Sequence, residues 1–517
     1  MSLSIRKLAH ATGIPKSSVA RHRKALEARG QWPEAPFWEQ AAGDHWLRLL
    51  VLAVIFVFGI KGGVGVERIS EFFHRVRLDR YVGSSPTALR TLRCQLEDGI
   101  LAYQTAQESQ RHQAECWVEI GAGADETFFD RVILVMMDLG SGYIVLEEPA
   151  DDRRYDTWQA RVQQALERWG IRLRYVVSDR AKALVKLALE GFTCPSVPDV
   201  FHALRDVGKV VGVSFHLHLA RLEEKRVQAQ QTLSVLQAKG KDTHVQQRFI
   251  AYLNEDIMSL RAAQASAQAW LREASYAVHP FTLTDSARQS AAHVEAALHR
   301  ALKELNILHA CHAARDNAPA VAKFTRQIPG LAALVEGWWE GVEQSLPPEA
   351  VDATLQSWLL ERLLPTVYWQ AQVSKTKTPT VKSAYQQAFD AARQALHHHP
   401  LTATFSAEVF VTWQAWASDW VTKFQRASSP IEGRNGYLSQ LNHCARGTPA
   451  QRLKVLTVIH NFDLKRPDGT TAAERLFGTP FPDLFDWVME RMGALPLPRK
   501  ARTPPKPKLL NLQSVPA

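Results

Sequence analysis

Three carboxylates in this chain stand where a side chain of their kind needs a reason. Asp125 follows Trp117-Val118-Glu119-Ile120-Gly121-Ala122-Gly123-Ala124, which reads as a strand. A carboxylate there costs free energy unless it is paired or bound to a cation. Asp179 closes the run Ile171 to Ser178. Glu432 lies in Ser428-Ser429-Pro430-Ile431-Glu432-Gly433-Arg434-Asn435-Gly436, where Ser429 as N-cap, Pro430 in the first turn and Glu432 three residues on make a capping box. Beside that plain reading, Glu432 shares a helical face with Asn435, Gly436, Ser439 and His443, a small, polar stripe where a core helix should be apolar. Carboxylates that meet from separate elements tolerate one another only around cations, and hard oxygen donors suit Mg2+ or Mn2+.

The elements that must position these acids are legible around them. Trp117 to Glu148 consists of short β-branched and aromatic runs broken by turn residues, the pattern of a strand meander. Val132 to Met137 is too apolar for a solvated hairpin and is expected in a sheet covered on both faces. Gly140-Ser141-Gly142 turns the chain, and Tyr143 to Leu146 runs back. Thr157 to Trp169 is helical in period, Ile171 to Val177 is a strand, and Arg180 to Gly191 is helical again, which predicts parallel strands with crossovers. Asp179 then falls at the carboxyl end of a central strand, where open α/β sheets hold ligands. Val197 to Phe201 reads as a fifth strand, followed by His202, which either approaches the site or fills a structural place. Side-chain alternation turns Glu126 away from Asp125. Asp130 reads as a turn residue and Asp138 as the end of the second strand.

An Asp in a first strand, a hydrophobic second strand ending in Asp138 and Ser-Gly-Tyr opening a third resemble the start of the catalytic core of DDE transposases and retroviral integrases. Ser428 to His443 resembles the glutamate-bearing helix of that family. Arg466-Pro467-Asp468-Gly469-Thr470-Thr471 with Ala473-Glu474-Arg475, physically a turn and a threonine-capped helix, resembles a segment common near the end of insertion-sequence transposases. The resemblance implies an RNase H-like fold and a DDE-type insertion-sequence transposase in which Asp125, Asp179 and Glu432 are catalytic. It implies two Mg2+ or Mn2+ ions, with Asp125 shared by both and Asp179 and Glu432 completing one site each. It also implies metal-dependent cleavage at transposon ends by water and strand transfer into target DNA by the freed 3′-hydroxyl. The 253 residues from Asp179 to Glu432 resemble transposases interrupted by a separate domain, and an all-helical one is closer to the hAT-type arrangement. Gln425 and Ser439 stand where one subgroup has the Tyr and Lys of a Tyr-Arg-Glu-Lys signature, so its DNA-end contacts do not carry over. Arg434, beside Glu432, is a candidate DNA contact.

The expected fold class is multidomain α+β and α/β: an N-terminal helix-turn-helix region and an RNase H-like mixed-sheet core interrupted by a large all-α insertion. Residues 1–31 carry Leu8, Ala9, Gly13, Ile14 and Val19 at helix-turn-helix spacing. Lys16, Ser17, Ser18, Arg21 and Arg23 are then candidates for DNA binding on the recognition face, although an ordinary helical hairpin with a basic face has the same pattern. Residues 32–112 form a second helical region, with Arg77, Arg80, Arg90 and Arg93 near its turns; a DNA-binding module and a structural linker fit equally. Residues 113–205 and 426–478 are the two parts of the core, 206–425 the insertion, and 479–517 a C-terminal helix and a basic proline-rich tail expected to be disordered. Phe215 to Ala238 and Val245 to Ala274 read as an antiparallel helical hairpin. The insertion's tryptophans read mainly as core, and His397-His398-His399 as a helix C-terminal feature.

Composition fits a polyanionic partner without requiring one: 62 Lys and Arg against 52 Asp and Glu give a net charge of +10 over 517 residues. Five scattered cysteines with no CxxC pair argue against a zinc module or a disulfide framework and fit a reducing cytoplasm. Leu49 to Phe58 is too short to span a bilayer and reads as a buried helix. The expected partners are DNA, as terminal inverted repeats and target, and at least one further copy of the chain; the expected location is cytoplasmic, at the nucleoid. Two other readings use the same residues: a DNA-binding regulator with an inactive transposase core, and a structure-specific nuclease on an RNase H-like fold.

Overall fold

A computed structural model describes residues 4–29, 31–38, 40–113, 117–312, 318–346, 352–445 and 449–498. The basic tail lies outside the described residues from position 499 on, as does Cys116. The chain divides into two compact units, one built from the segments up to Ser109, Leu438–Leu464 and from Pro480 onward, the other from Gln110–Tyr437 and Lys465–Thr479.

In the first unit, helices Ile5–Thr12 and Lys16–Arg29 meet around Gly13, whose φ of +67° is a left-handed turn that glycine adopts without strain. Val19 is buried, while Lys16, Ser17, Arg21 and Arg23 are exposed and Ser18 is half-buried. Arg23 pairs with Glu27 one turn on at 3.0 Å, an exposed contact of little energetic weight. The apolar helix runs further than its sequence suggests. Ala41–Val54 continues without a break through a π-helical segment, Ile55–Lys61, passing Gly59. Those 21 residues are long and apolar enough to cross a bilayer, yet half of their most apolar window is buried here, with Leu47, Val51, Leu52, Ile55 and Ile60 in the core. Of Arg77, Arg80, Arg90 and Arg93, the arginines near the turns of the second helical region, three are engaged within the unit: Arg80 pairs with Glu34 and stacks on Trp32, Arg90 pairs with Glu67, and Arg93 with Glu97.

The second unit contains a five-stranded mixed sheet in the order β3-β2-β1-β4-β5. Its strands are β1 (Val118–Phe128), β2 (Val132–Asp138), β3 (Ile144–Ala150), β4 (Ile171–Ser178) and β5 (Ser196–Pro198). Tight turns make β1, β2 and β3 antiparallel neighbours, whereas helix Tyr155–Trp169 carries the chain across so that β4 lies parallel to β1. β2 is buried throughout beyond its first residue, as its apolar run requires. The fifth strand is shorter than Val197 to Phe201. Asp199 caps a helix, accepting the backbone N–H of His202, and Val200–Ala238 is already helical. His202 therefore sits in a first helical turn.

Helices Val200–Ala238 and His244–Ala277 form the expected hairpin, and further helices fill the stretch to Lys423. Trp338, Trp339, Trp358 and Trp369 are fully buried in it, and Trp413 and Trp420 nearly so. The later turn also forms as its residues dictate: Gly469 has φ +81°, and Thr471 and Glu474 make a reciprocal capping box on helix Ala472–Phe477.

Candidate active site

Gly121, Gly123 and Asp125 alternate onto one face of β1. A Cβ on Gly123 would lie 2.7 Å from Ile431 Cδ1 and from Leu139 Cδ2, and one on Gly121 would collide with the Tyr175 ring. Gly123 thus admits helix Ser429–Ala445 close against the strand, at the turn that carries Glu432. On the opposite face, Glu126 accepts a hydrogen bond from Trp158 Nε1 at 3.4 Å, so it points away from Asp125 as alternation requires.

β1 and β4 pair in register at Gly123 and Val177, and two residues further along each strand come Asp125 and Asp179. Asp179 turns the chain: its Oδ1 accepts the N–H of Ala181 at 2.9 Å, and Arg180 is held at φ +66°. A non-glycine residue there costs on the order of 1 kcal/mol, a kind of strain that clusters at functional sites.

From the helix side, Asn435 Nδ2 donates to Asp125 Oδ2 at 3.1 Å, and Glu432 Oε1 is 2.9 Å from His202 Nε2. Burial holds the Asp125 carboxyl above the usual carboxylate range, and the nearby charges of Asp179 and Glu432 push it the same way, with His202 acting against them. Asp125 and Asp179 thus stand at the ends of neighbouring strands, and the helix that carries Glu432 reaches Asp125 through Asn435. Asn435 adds a further donor atom, because its Oδ1 is buried without a hydrogen-bond partner. Carboxylate and amide oxygens are the hard donors that Mg2+ or Mn2+ takes, so the residues present fit such an ion. With the side chains as they stand, no three His, Cys, Asp or Glu among the described residues form a ready-made cage. Glu432 is turned instead to His202.

Two expectations fail at this helix. Glu432 does not cap it. Ser428 is the residue before the helix, and its N–H and hydroxyl both donate to Asp199 Oδ2, at 2.6 and 2.7 Å. Arg434 is not available to DNA: its side chain is 2% exposed and forms a two-pronged pair with the fully buried Glu147, at 2.8 and 2.6 Å. A position two residues past Glu432 lies roughly 200° round the helix, on the side away from Glu432. Lys16, Ser17, Ser18, Arg21 and Arg23 belong to the other compact unit.

Asp199 is the residue that sequence reasoning assigned to the wrong element. It is 2% exposed and joins the start of helix Val200–Ala238 to the start of the Glu432 helix, while the Val200 N–H donates to the Arg426 carbonyl at 3.0 Å. The available signal was its spacing, since an aspartate three residues before the first-turn histidine is an N-cap pattern. Asp199→Ala should cost about 3 kcal/mol, because it strands the Ser428 and His202 amides; equilibrium urea unfolding measures it, and a loss below about 0.5 kcal/mol would count against this latch.

Residues 359–504 match a family described as "Family of unknown function (DUF6399)", a span that includes Glu432, Asn435 and the Thr471 capping box. No curated protein matches the chain.

Proposed function

We propose that this chain is a DDE-type DNA transposase with an RNase H-like core, in which Asp125, Asp179 and Glu432 hold two Mg2+ or Mn2+ ions. The observation that carries the reading is the placement of Asp125 and Asp179 at the ends of the paired strands β1 and β4, with Asn435, one turn from Glu432 on a helix 253 residues after Asp179, donating to Asp125. The strand order β3-β2-β1-β4-β5, antiparallel then parallel, supports the RNase H-like part, and the helices around Gly13 support a helix-turn-helix.

When bound, the ions would stabilise charge on the attacking and leaving oxygens of a phosphodiester and help generate the nucleophile. The protein's own groups have distinct tasks. Asp125 Oδ2 is kept in place by Asn435, and the Ala181 amide fixes Asp179 Oδ1. His202 holds Glu432 until a cation competes for it. Lys16, Ser17, Ser18, Arg21 and Arg23 would read and neutralise element-end DNA. Two ends must be joined in concert, so the working form is at least a dimer, acting on DNA in the cytoplasm.

The test is a cleavage and joining assay on DNA flanking the gene with Mg2+ or Mn2+, run on wild type and Asp179→Asn. Nicking and strand transfer by the wild type and their loss in the variant are expected. Sequence-specific binding without nicking would favour a regulator, and nicking of branched DNA without joining would favour a structure-specific nuclease. Equal activity in the two proteins would remove Asp179 from the mechanism.

A further inference from the structure

Next to His202, helix Val200–Ala238 leaves a large aromatic side chain uncovered. Val200, Ala203, Val207 and Val211 face the core, whereas Phe201 is 58% exposed. Phe201, Arg205, Gly208 and Gly212 recur at helical spacing on the outer face, with Lys209 at its edge. Arg205 lies 5.7 Å from the Phe201 ring centroid, and neither Arg205 nor Lys209, both exposed, is in an ion pair among the described residues. These residues border a mostly apolar depression of about 610 Å3, floored by Leu204 and Leu271, and no acidic side chain lines it. Gly208 and Gly212 keep the face low, and a Cβ at Gly212 would meet open space. Helix-interior glycines cost about 1 kcal/mol each against alanine, so packing alone does not account for Gly212. The neighbouring residue His202 touches Glu432.

We infer that this face is a subsite for an unpaired DNA base beside the bond being cut, with Phe201 as its stacking platform and Arg205 and Lys209 on the flanking phosphates. The inference rests on the proposed nucleic-acid chemistry of the acidic site. An aromatic ring within a positive, acid-free depression matches a nucleotide strand in both shape and charge. An apolar peptide would use the ring but not the two cations.

The probe is a fifteen-residue oligodeoxythymidine carrying one 5-iododeoxyuridine, bound to the full-length protein in EDTA. Irradiation should crosslink the probe to the peptide containing Phe201. Phe201→Ala should weaken binding about 5- to 150-fold, the range that 1–3 kcal/mol of stacking corresponds to, and Phe201→Trp should restore it. Arg205→Ala with Lys209→Ala should lower the slope of log K against log salt by about 1.4, at about 0.7 per phosphate on a single strand. No binding by the wild type, a crosslink elsewhere, or unchanged affinity in Phe201→Ala would overturn the subsite. So would a change in oligomeric state in Phe201→Ala at unchanged affinity, which would give the face to a second copy. Equal cleavage by wild type and Asp179→Asn would instead sink the metal-site reading while leaving the stacking result intact, so the two failures are distinguishable.

Discussion

Asp125→Asn should melt above the wild type when divalent metal is absent and, on the proposed function, should lower metal-dependent DNA cleavage by about 10³-fold or more. The second effect follows from the several kcal/mol that a metal centre contributes to a phosphoryl-transfer transition state. The first follows from the environment of Asp125. Its carboxyl is held above the ordinary range by burial and then by Asp179 and Glu432. A carboxyl raised in the folded state binds its proton more tightly there than in the unfolded chain. Its contribution to stability is therefore present in acid and is lost as pH rises through the folded value. At neutral pH the ionised group opposes folding, and asparagine removes that opposition while keeping an oxygen that accepts from Asn435 Nδ2. The gain should be a few degrees at neutral pH and should shrink as the solution is made acidic. Mg2+ should raise the melting temperature of the wild type, by the equivalent of about 2.7 kcal/mol at a hundredfold excess over Kd, and leave the variant unmoved. Thermal scans of both proteins, in EDTA and in Mg2+ from neutral to acidic pH, measure all three quantities. A variant that melts below the wild type in EDTA would mean that Asp125 is a structural acid satisfied without a cation.

Glu147→Gln should destabilise the protein by about 3–5 kcal/mol without touching Asp125, Asp179 or Glu432. The change leaves the Arg434 guanidinium, itself 2% exposed, facing a neutral amide in a buried place. Arg434 shares a helix with Glu432 and Asn435, and Glu147 lies on β3, so the pair ties that helix to the sheet. Replacing both partners by apolar residues, Glu147→Leu with Arg434→Met, removes the stranded charge and should recover most of the loss, since buried pairs exchanged for packed side chains come out neutral or better by about 1–4 kcal/mol. Urea unfolding of the double variant and of Glu147→Leu and Arg434→Met singly gives the coupling, and that of Glu147→Gln gives the cost of the stranded charge. A single variant within about 1 kcal/mol of wild type would mean that water or another acid reaches Arg434.

Much of this architecture could be read in the residues because its causes are local. The strands follow from short apolar runs broken by Gly140-Ser141-Gly142, and Asp179 from its place after Val177 and Ser178. The alternation of Gly121, Gly123 and Asp125 against Glu126 fixes which acid faces the glutamate helix. What escaped was the competition between signals of similar strength. Val197 to Phe201 has the composition of a strand, but the Asp199 cap begins a helix inside it. Arg434 looks like a phosphate contact beside a catalytic acid, until the helical angle turns it inward to Glu147. Ser429 and Glu432 spell a capping box, yet the helix starts so that Ser428 serves Asp199 and Glu432 is released to His202. No neighbouring residue could signal the Arg434–Glu147, Ser428–Asp199 and Glu432–His202 pairings, because those partners are hundreds of positions apart.

The 253-residue interval between Asp179 and Glu432 also sets a clock. At about 5–20 residues per second, a ribosome takes roughly 10–50 seconds between delivering the second acid and the third. For that time a nascent chain holds two of its acids but not the helix that completes the set. A message cut short before codon 428 would yield a polypeptide without the helix that carries Glu432 and Asn435, so the set of acids is completed only late in translation.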